Sequence, residues 1–244
     1  MGFSVDNVRK VILFDLDGTL LPMDQDLFEK EYFQGLSTVM PQFQPQDLVK
    51  IVWAGTKMMV LNDGSKPNRE AFGEKFTELT GMDYYACESV FEKYYETEFQ
   101  KCVEVCSVTE LSREIVHTLQ EKGYTVAIAT NPLFPKIATY SRLRWLGLSA
   151  DEFPLVTTFE DSHYCKPNPE YYLEVCRRLN VAPEDCMMIG NDVAEDGVAA
   201  TVGMNVMLVT DCLLNRRDLS TDEFALGTMQ ELFAWAKELP AVQE

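Results

Sequence analysis

Lys10-Val11-Ile12-Leu13-Phe14-Asp15-Leu16-Asp17-Gly18-Thr19-Leu20 is the stretch around which the rest of the chain can be read. Residues 11–14 are apolar without alternation, which is how a strand buried on both faces of a parallel sheet reads. Gly18 marks the point where the chain leaves extended geometry. Asp15 and Asp17 are two apart, so extended backbone turns both carboxylates to one side. Two carboxylates converging at the end of a buried strand are costly unless a cation neutralises them. In an open α/β sheet that end is also where ligands bind. The stretch therefore reads as a hard-cation site with a candidate nucleophile in it.

The chain has 244 residues, 46% of them hydrophobic. That suffices for one large domain or a domain with an insertion. The net charge of −18 argues against non-specific binding to nucleic acid or anionic lipid. The same charge repels phosphate, so a phosphate site needs concentrated local positive charge. Seven cysteines occur without a CxxC pair and read as reduced, half-buried thiols. Residues 1–6 lack the apolar run of a signal peptide, and no run approaches membrane-spanning length. These features fit a cytoplasmic protein.

From about residue 24 to 100 the apolar residues follow helical periods: Phe28, Tyr32, Phe33, Leu36; Leu48, Ile51, Val52; Phe72, Phe76, Leu79; Val90, Phe91, Tyr94, Tyr95. Breakers at 41–45, 62–64 and 81–83 divide them into about four helices. Beyond, helices and strands alternate. A capping box from Ser107 to Glu110 opens a helix. Strands are expected at 124–130, 154–159, 185–190 and 204–210, and helices at 133–146, 169–179, 193–202 and 228–239. Alternation of this kind implies a Rossmann-like parallel sheet with helices on both faces, an α/β fold. The helical block enters directly after the two aspartates, where a hinged sub-domain would cover the site.

Polar groups recur at the expected strand ends: Thr130-Asn131, then Lys166 in Cys165-Lys166-Pro167, then Gly190-Asn191-Asp192 with Asp196 one turn on. All lie on one edge of a parallel sheet. The carboxylates suit Mg²⁺, and the hydroxyl, ammonium and backbone amides suit phosphate oxygens.

Taken in order, Asp15-x-Asp17-Gly18-Thr19, Thr130, Lys166-Pro167 and Gly190-Asn191-Asp192-x-x-x-Asp196 resemble the haloacid dehalogenase-like hydrolase superfamily, on its phosphatase side. The resemblance implies a catalytic core of residues 1–21 and 103–244, with residues 22–102 as a helical (type 1) cap. It implies Asp15 as nucleophile and Asp17 as general acid and base. Thr130, Asn131 and Lys166 would hold the phosphoryl group. Mg²⁺ would be held by Asp15, the Asp17 carbonyl and Asp192, with Asp196 a ligand or a holder of ligands. The implied reaction is Mg²⁺-dependent hydrolysis of the phosphate monoester of a small metabolite. Asn191 departs from the usual Gly-Asp junction and bears on the geometry of that loop.

Two other outcomes share these residues. One is a phosphoryl-transferring sugar-phosphate mutase. The other is a binding protein without turnover, whose usual mark, loss of Asp15, Asp17 or Lys166, is missing here. His117 and His163 are not needed by either chemistry. In the helical block Lys57, Asn62, Lys66 and Arg69 read mostly as solvent-facing groups.

Overall fold

The structure is a computed structural model and describes residues 9–242. The N-terminal residues 1–6 read above lie outside that range.

Strand β1 (Val11–Phe14) is followed by four helices, α1 (Gln25–Val39), α2 (Pro45–Val60), α3 (Asn68–Thr80) and α4 (Tyr84–Glu96), and a 3-10 segment, Glu98–Val105. The chain then alternates: α5 (Glu110–Glu121), β2 (Thr125–Ile128), α6 (Lys136–Trp145), α7 (Pro169–Leu179), β3 (Cys186–Gly190), β4 (Asn205–Val209), β5 (Ala225–Gly227) and α8 (Met229–Glu238). The sheet is parallel throughout, in the order β2-β1-β3-β4-β5. β1 lies inside it, paired with β2 and β3, which is why all four of its residues are buried. No described helix is long and apolar enough to cross a membrane.

Alternate residues of the strands feed two cores. Ile12, Phe14, Ile128 and Ile189 pack with Ile115, Leu143 and Leu232 of α5, α6 and α8. Val11, Leu13, Met188 and Leu208 pack with Tyr171, Tyr172 and Val175 of α7. The first core continues into the helical insert, through Phe28, Tyr32, Phe76 and Phe99. The insert leaves and rejoins the sheet domain at one place. Met23 and Cys106 form an antiparallel bridge, and the Ser107 amide donates to the Pro22 carbonyl at 2.7 Å.

Several expectations are corrected. α5 is capped by Thr109, whose side chain accepts from the Leu111 amide, so the Ser107 capping box does not form. Residues 154–159 make no strand. They touch the sheet only at the Ile128–Val156 bridge, because Thr157 turns its hydroxyl onto the carbonyl of Thr130 at 2.6 Å and the chain bends off the edge. The helix expected at 133–146 begins at Lys136, after Pro135 and with Glu160 accepting from the Lys136 amide. Residues 193–202 form a turn and then a 3-10 segment, Gly197–Val202, because Asp192 and Asp196 draw the amides of this loop inward. β5, three residues long, was not foreseen.

Candidate active site

Asp15 follows β1 while still in register, its amide donating to the Ile189 carbonyl at 2.9 Å. Its buried carboxylate accepts from Lys166 Nζ at 2.8 Å through Oδ1, and Thr19 Oγ1 lies 3.5 Å from Oδ2. Burial pushes the Asp15 carboxyl up to about 7; Lys166 opposes the shift and Asp196 adds to it.

Lys166 is only 1% exposed. Its ammonium lies between Asp15 and Asp196, 2.6 Å from Asp196 Oδ1. Burial pulls the Lys166 ammonium down, yet the two carboxylates hold it well above the ordinary lysine value. A buried charge is tolerable only when paired in this way. The Lys166 main chain is held by Asn131, whose Oδ1 accepts from the Lys166 amide at 3.2 Å and whose Nδ2 lies 3.4 Å from its carbonyl. That Nδ2 also donates to Glu195 at 3.0 Å. The Asn131 side chain is thus committed to Lys166 and Glu195, and any contact of this residue with phosphate falls to its main chain.

Asp196 has both oxygens in use. Oδ1 accepts from Lys166, and Oδ2 accepts from the amides of Asn191 and Asp192 at 2.9 and 3.0 Å. It fits under the end of β3 only because residue 190 is glycine: a Cβ there would stand 2.0 Å from Oδ2. Of the two roles open to Asp196, holder rather than ligand is the one its bonds fit. They also take up the strand-end amides expected to be free. Asp192 turns Oδ1 back to the amides of Ala194 and Glu195, at 2.8 and 3.0 Å, closing the turn that begins there. Asn191 joins two loops, accepting from Thr19 Oγ1 at 3.0 Å and donating to the Cys212 carbonyl at 2.8 Å. It lies against Gly18, whose φ of +81° suits glycine. The Gly190-Asn191-Asp192 junction is therefore a packed one.

The Asp17 carboxylate lies within electrostatic reach of Asp15 and Lys166 but takes its hydrogen bond from another element. Its Oδ2 accepts from Nη1 of Arg142, a wholly buried arginine of α6. Its Oδ1 is buried and has no hydrogen-bond partner. Burial raises the Asp17 carboxyl above the usual range, with Arg142 and Lys166 opposing. Thr130 is buried beside the group, its carbonyl accepting from Tyr171 Oη at 2.8 Å.

Three residues here went unread in the sequence: Arg142, Glu195 and Asn68. Glu195 is driven by burial to about 7, against the pull of Lys166. Asn68, at the start of α3, is fully buried. It accepts from Asn62 Nδ2 at 2.9 Å and donates toward Cys165 Sγ at 3.2 Å and the Tyr164 carbonyl at 3.3 Å. The amides of Asn68 and Arg69 donate to the carbonyls of Ser162 and Phe159. The insert thereby meets the loop that leads into Lys166. A cavity of about 310 Å³ lies between insert and sheet domain, with Tyr32, Tyr84, Tyr95, Leu133, Phe159 and Glu160 in its wall. His117 and His163 pair with Glu152 and Glu174, away from Asp15.

The oxygen-only donor set suits a hard cation. Among the described residues no three acidic, histidine or cysteine side chains come together to hold a metal on their own.

The model of the haloacid dehalogenase-like hydrolase family matches residues 9–202. Among curated proteins the chain is 25% identical to pyrophosphatase PpaX of Bacillus velezensis over 224 residues, covering 91% of this chain and 93% of the relative. A haloacid dehalogenase-type phosphatase from Thermococcus onnurineus has a similar fold, with TM-score 0.58, 22% identity, and coverage of 95% of this chain and 99% of that one. So does the hydrolase YfnB from Bacillus subtilis, solved with magnesium bound, with TM-score 0.56, 18% identity and coverage of 93% and 98%. With the family model spanning most of its length, including all four strand-end motifs up to Asp196, this chain belongs to the haloacid dehalogenase-like hydrolases.

Proposed function

We propose that this hydrolase is a Mg²⁺-dependent phosphatase that cleaves the phosphate monoester of a small metabolite through an aspartyl-phosphate on Asp15. The observation that carries the reading is the buried Lys166 ammonium, 2.8 Å from Asp15 and 2.6 Å from Asp196. A lysine this deep supplies the concentrated positive charge that a phosphoryl group needs in a protein of net charge −18. The names of the relatives are in keeping with it: a pyrophosphatase, a phosphatase and a magnesium-bound hydrolase.

In this reading an Asp15 oxygen attacks phosphorus and the ester P–O bond breaks. Asp17 gives its proton to the departing oxygen, then takes one from the water that attacks the aspartyl-phosphate. Orthophosphate leaves and Asp15 is regenerated. Lys166, the Thr130 hydroxyl and the Asn131 amide hold the phosphoryl oxygens. Asp15, Asp192 and the Asp17 carbonyl would hold Mg²⁺, which offsets charge on the phosphoryl oxygens and keeps Asp15 ionised. Residues 22–102 act as a cap over a core of residues 1–21 and 103–244. The cavity between the two, walled in part by Leu133 and Pro135 on the loop after Asn131, would take the organic part of the substrate.

Purified protein with Mg²⁺ is expected to release orthophosphate from an aryl phosphate. A panel of sugar phosphates, other monoesters and pyrophosphate then ranks substrates. Activity is expected to vanish with chelator and in Asp15→Asn. Turnover that survives Asp15→Asn overturns the nucleophile, and an isomerised sugar phosphate without orthophosphate release overturns the phosphatase reading.

A further inference from the structure

Arg142 is the largest fully buried side chain in the described protein. The Ser-Arg-Leu-Arg-Trp run of α6 reads as a solvated helix face, and Arg144 fits that reading, bonding Ser141 on the same helix. Arg142 points the other way. Nη1 donates to Asp17 Oδ2, Nη2 donates to Thr139 Oγ1 at 3.1 Å, and Nε lies 3.4 Å from the Ala138 carbonyl. The guanidinium lies 4.4 Å from the centre of the Phe134 ring. Phe134 in turn meets Tyr32 of α1 edge-on, with ring centres 5.6 Å apart. The planar fork is held along its length, so its end group has one orientation to offer Asp17.

A buried guanidinium is expensive, and an apolar side chain of similar volume is often no worse for stability. Its partner adds a second cost, since Asp17 Oδ1 is buried with nothing to bond it. An unsatisfied buried acceptor destabilises the fold unless something outside the protein bonds it. The two costs have one explanation. One oxygen of Asp17 is tied down so that the other meets something the protein itself does not supply.

We propose that Arg142 is the positioning residue of Asp17. By holding Oδ2 it fixes Oδ1 as the oxygen that hands a proton to the leaving group and later takes one from water. Each of its three nitrogens already has a partner, in Ala138, Asp17 and Thr139, so Arg142 acts through Asp17 and not on the phosphoryl group. The inference rests on the role of Asp17 given above and adds the residue that orients it.

The test is the leaving-group dependence of kcat/KM, which reports the first chemical step and is unmoved by a merely structural role. A nitrophenolate leaves without a proton, whereas an alkoxide must receive one. Wild type, Arg142→Gln, Arg142→Lys and Asp17→Asn are compared on p-nitrophenyl phosphate and glycerol phosphate, with Mg²⁺ present. Arg142→Gln is expected to lower kcat/KM on glycerol phosphate about a hundredfold more than on p-nitrophenyl phosphate, within the range of general acid catalysis. Arg142→Lys is expected to show the same bias in smaller measure, since it keeps the charge and loses the fork. Should the glutamine variant not fold, the lysine variant decides by the same ratio. Equal losses on both substrates overturn the role of Arg142 if Asp17→Asn shows the bias. If Asp17→Asn shows no bias either, it is the Asp17 assignment that falls.

Discussion

The Asp196 carboxylate joins the Lys166 ammonium to the end of β3: Oδ1 accepts from Nζ at 2.6 Å and Oδ2 from the amides of Asn191 and Asp192. One side chain thus sets both the height of the lysine and the course of the loop carrying Asp192. Asp196→Asn keeps the volume but can accept at one oxygen only. It is expected to lower kcat/KM about ten- to a hundredfold, the ~1.5–3 kcal/mol of a hydrogen bond to a charged group. Steady-state kinetics on an aryl phosphate checks this. Unchanged kinetics would remove Asp196 from the lysine's support.

Gly190→Ala tests the same contact from below. Its Cβ would stand 2.0 Å from Asp196 Oδ2, too close for either atom to remain. Overpacking of this kind costs about 1–3 kcal/mol. The urea midpoint is expected to fall, and activity with it as Asp196 is displaced. A variant of wild-type stability and activity would mean the carboxylate sits elsewhere.

Part of this site was readable in the sequence because its residues are punctuated. Asp15, Thr130, Lys166 and Asp192 each follow an apolar run or precede a proline or a turn, and a parallel sheet gathers such positions on one edge. Asp15, Lys166 and Asp196 do come together. Arg142 was not readable, since an arginine two residues from another on a helix has the pattern of a solvent face. Only the tertiary course of α6 buries one of them. Asn68 and Glu195 are hidden for the same reason: ordinary polar residues, made special by a neighbour about a hundred or sixty-odd positions away. A strand is expected at 154–159, but there the Thr157 hydroxyl takes the Thr130 carbonyl.

Metal-free protein is expected to lose stability as pH rises. Asp15 and Glu195 each titrate near 7 in the folded state, against ordinary values of 3.8 and 4.5. Between about pH 4 and 7 the folded protein therefore binds more protons than the unfolded chain, and stability falls through that window. Thermal unfolding in chelator should give a lower Tm at pH 8 than at pH 5. Mg²⁺ should raise Tm more at pH 8, where more carboxylates are charged than the one Lys166 ammonium can balance. A chelated protein with a higher Tm at pH 8 contradicts both shifts.

Asn68→Ala removes the side chain that bonds α3 to the loop before Lys166 and leaves Asn62 Nδ2 one acceptor short. The expected cost is about 1–3 kcal/mol. Hydrogen exchange should become faster at the amides of Asn68 and Arg69, which donate to the carbonyls of Ser162 and Phe159. KM should rise more than kcat falls. Protection equal to wild type at both amides would show that the insert is held by other contacts.

The strand order also sets a timetable for folding. Val11 pairs with Thr125 on one side and Cys186 on the other. The neighbouring helices α2 and α3 pack on one another and are close in sequence, so their contacts can begin to form early. At a synthesis rate of roughly 5–20 residues per second, the Val-Ile-Leu-Phe run ahead of Asp15 waits roughly 9–35 s for its second partner to be made. Throughout that interval it is an apolar strand with one edge unpaired, the kind of segment that is prone to aggregate until it is enclosed. The residue that comes first in the proposed chemistry sits on a strand that is among the last to be enclosed.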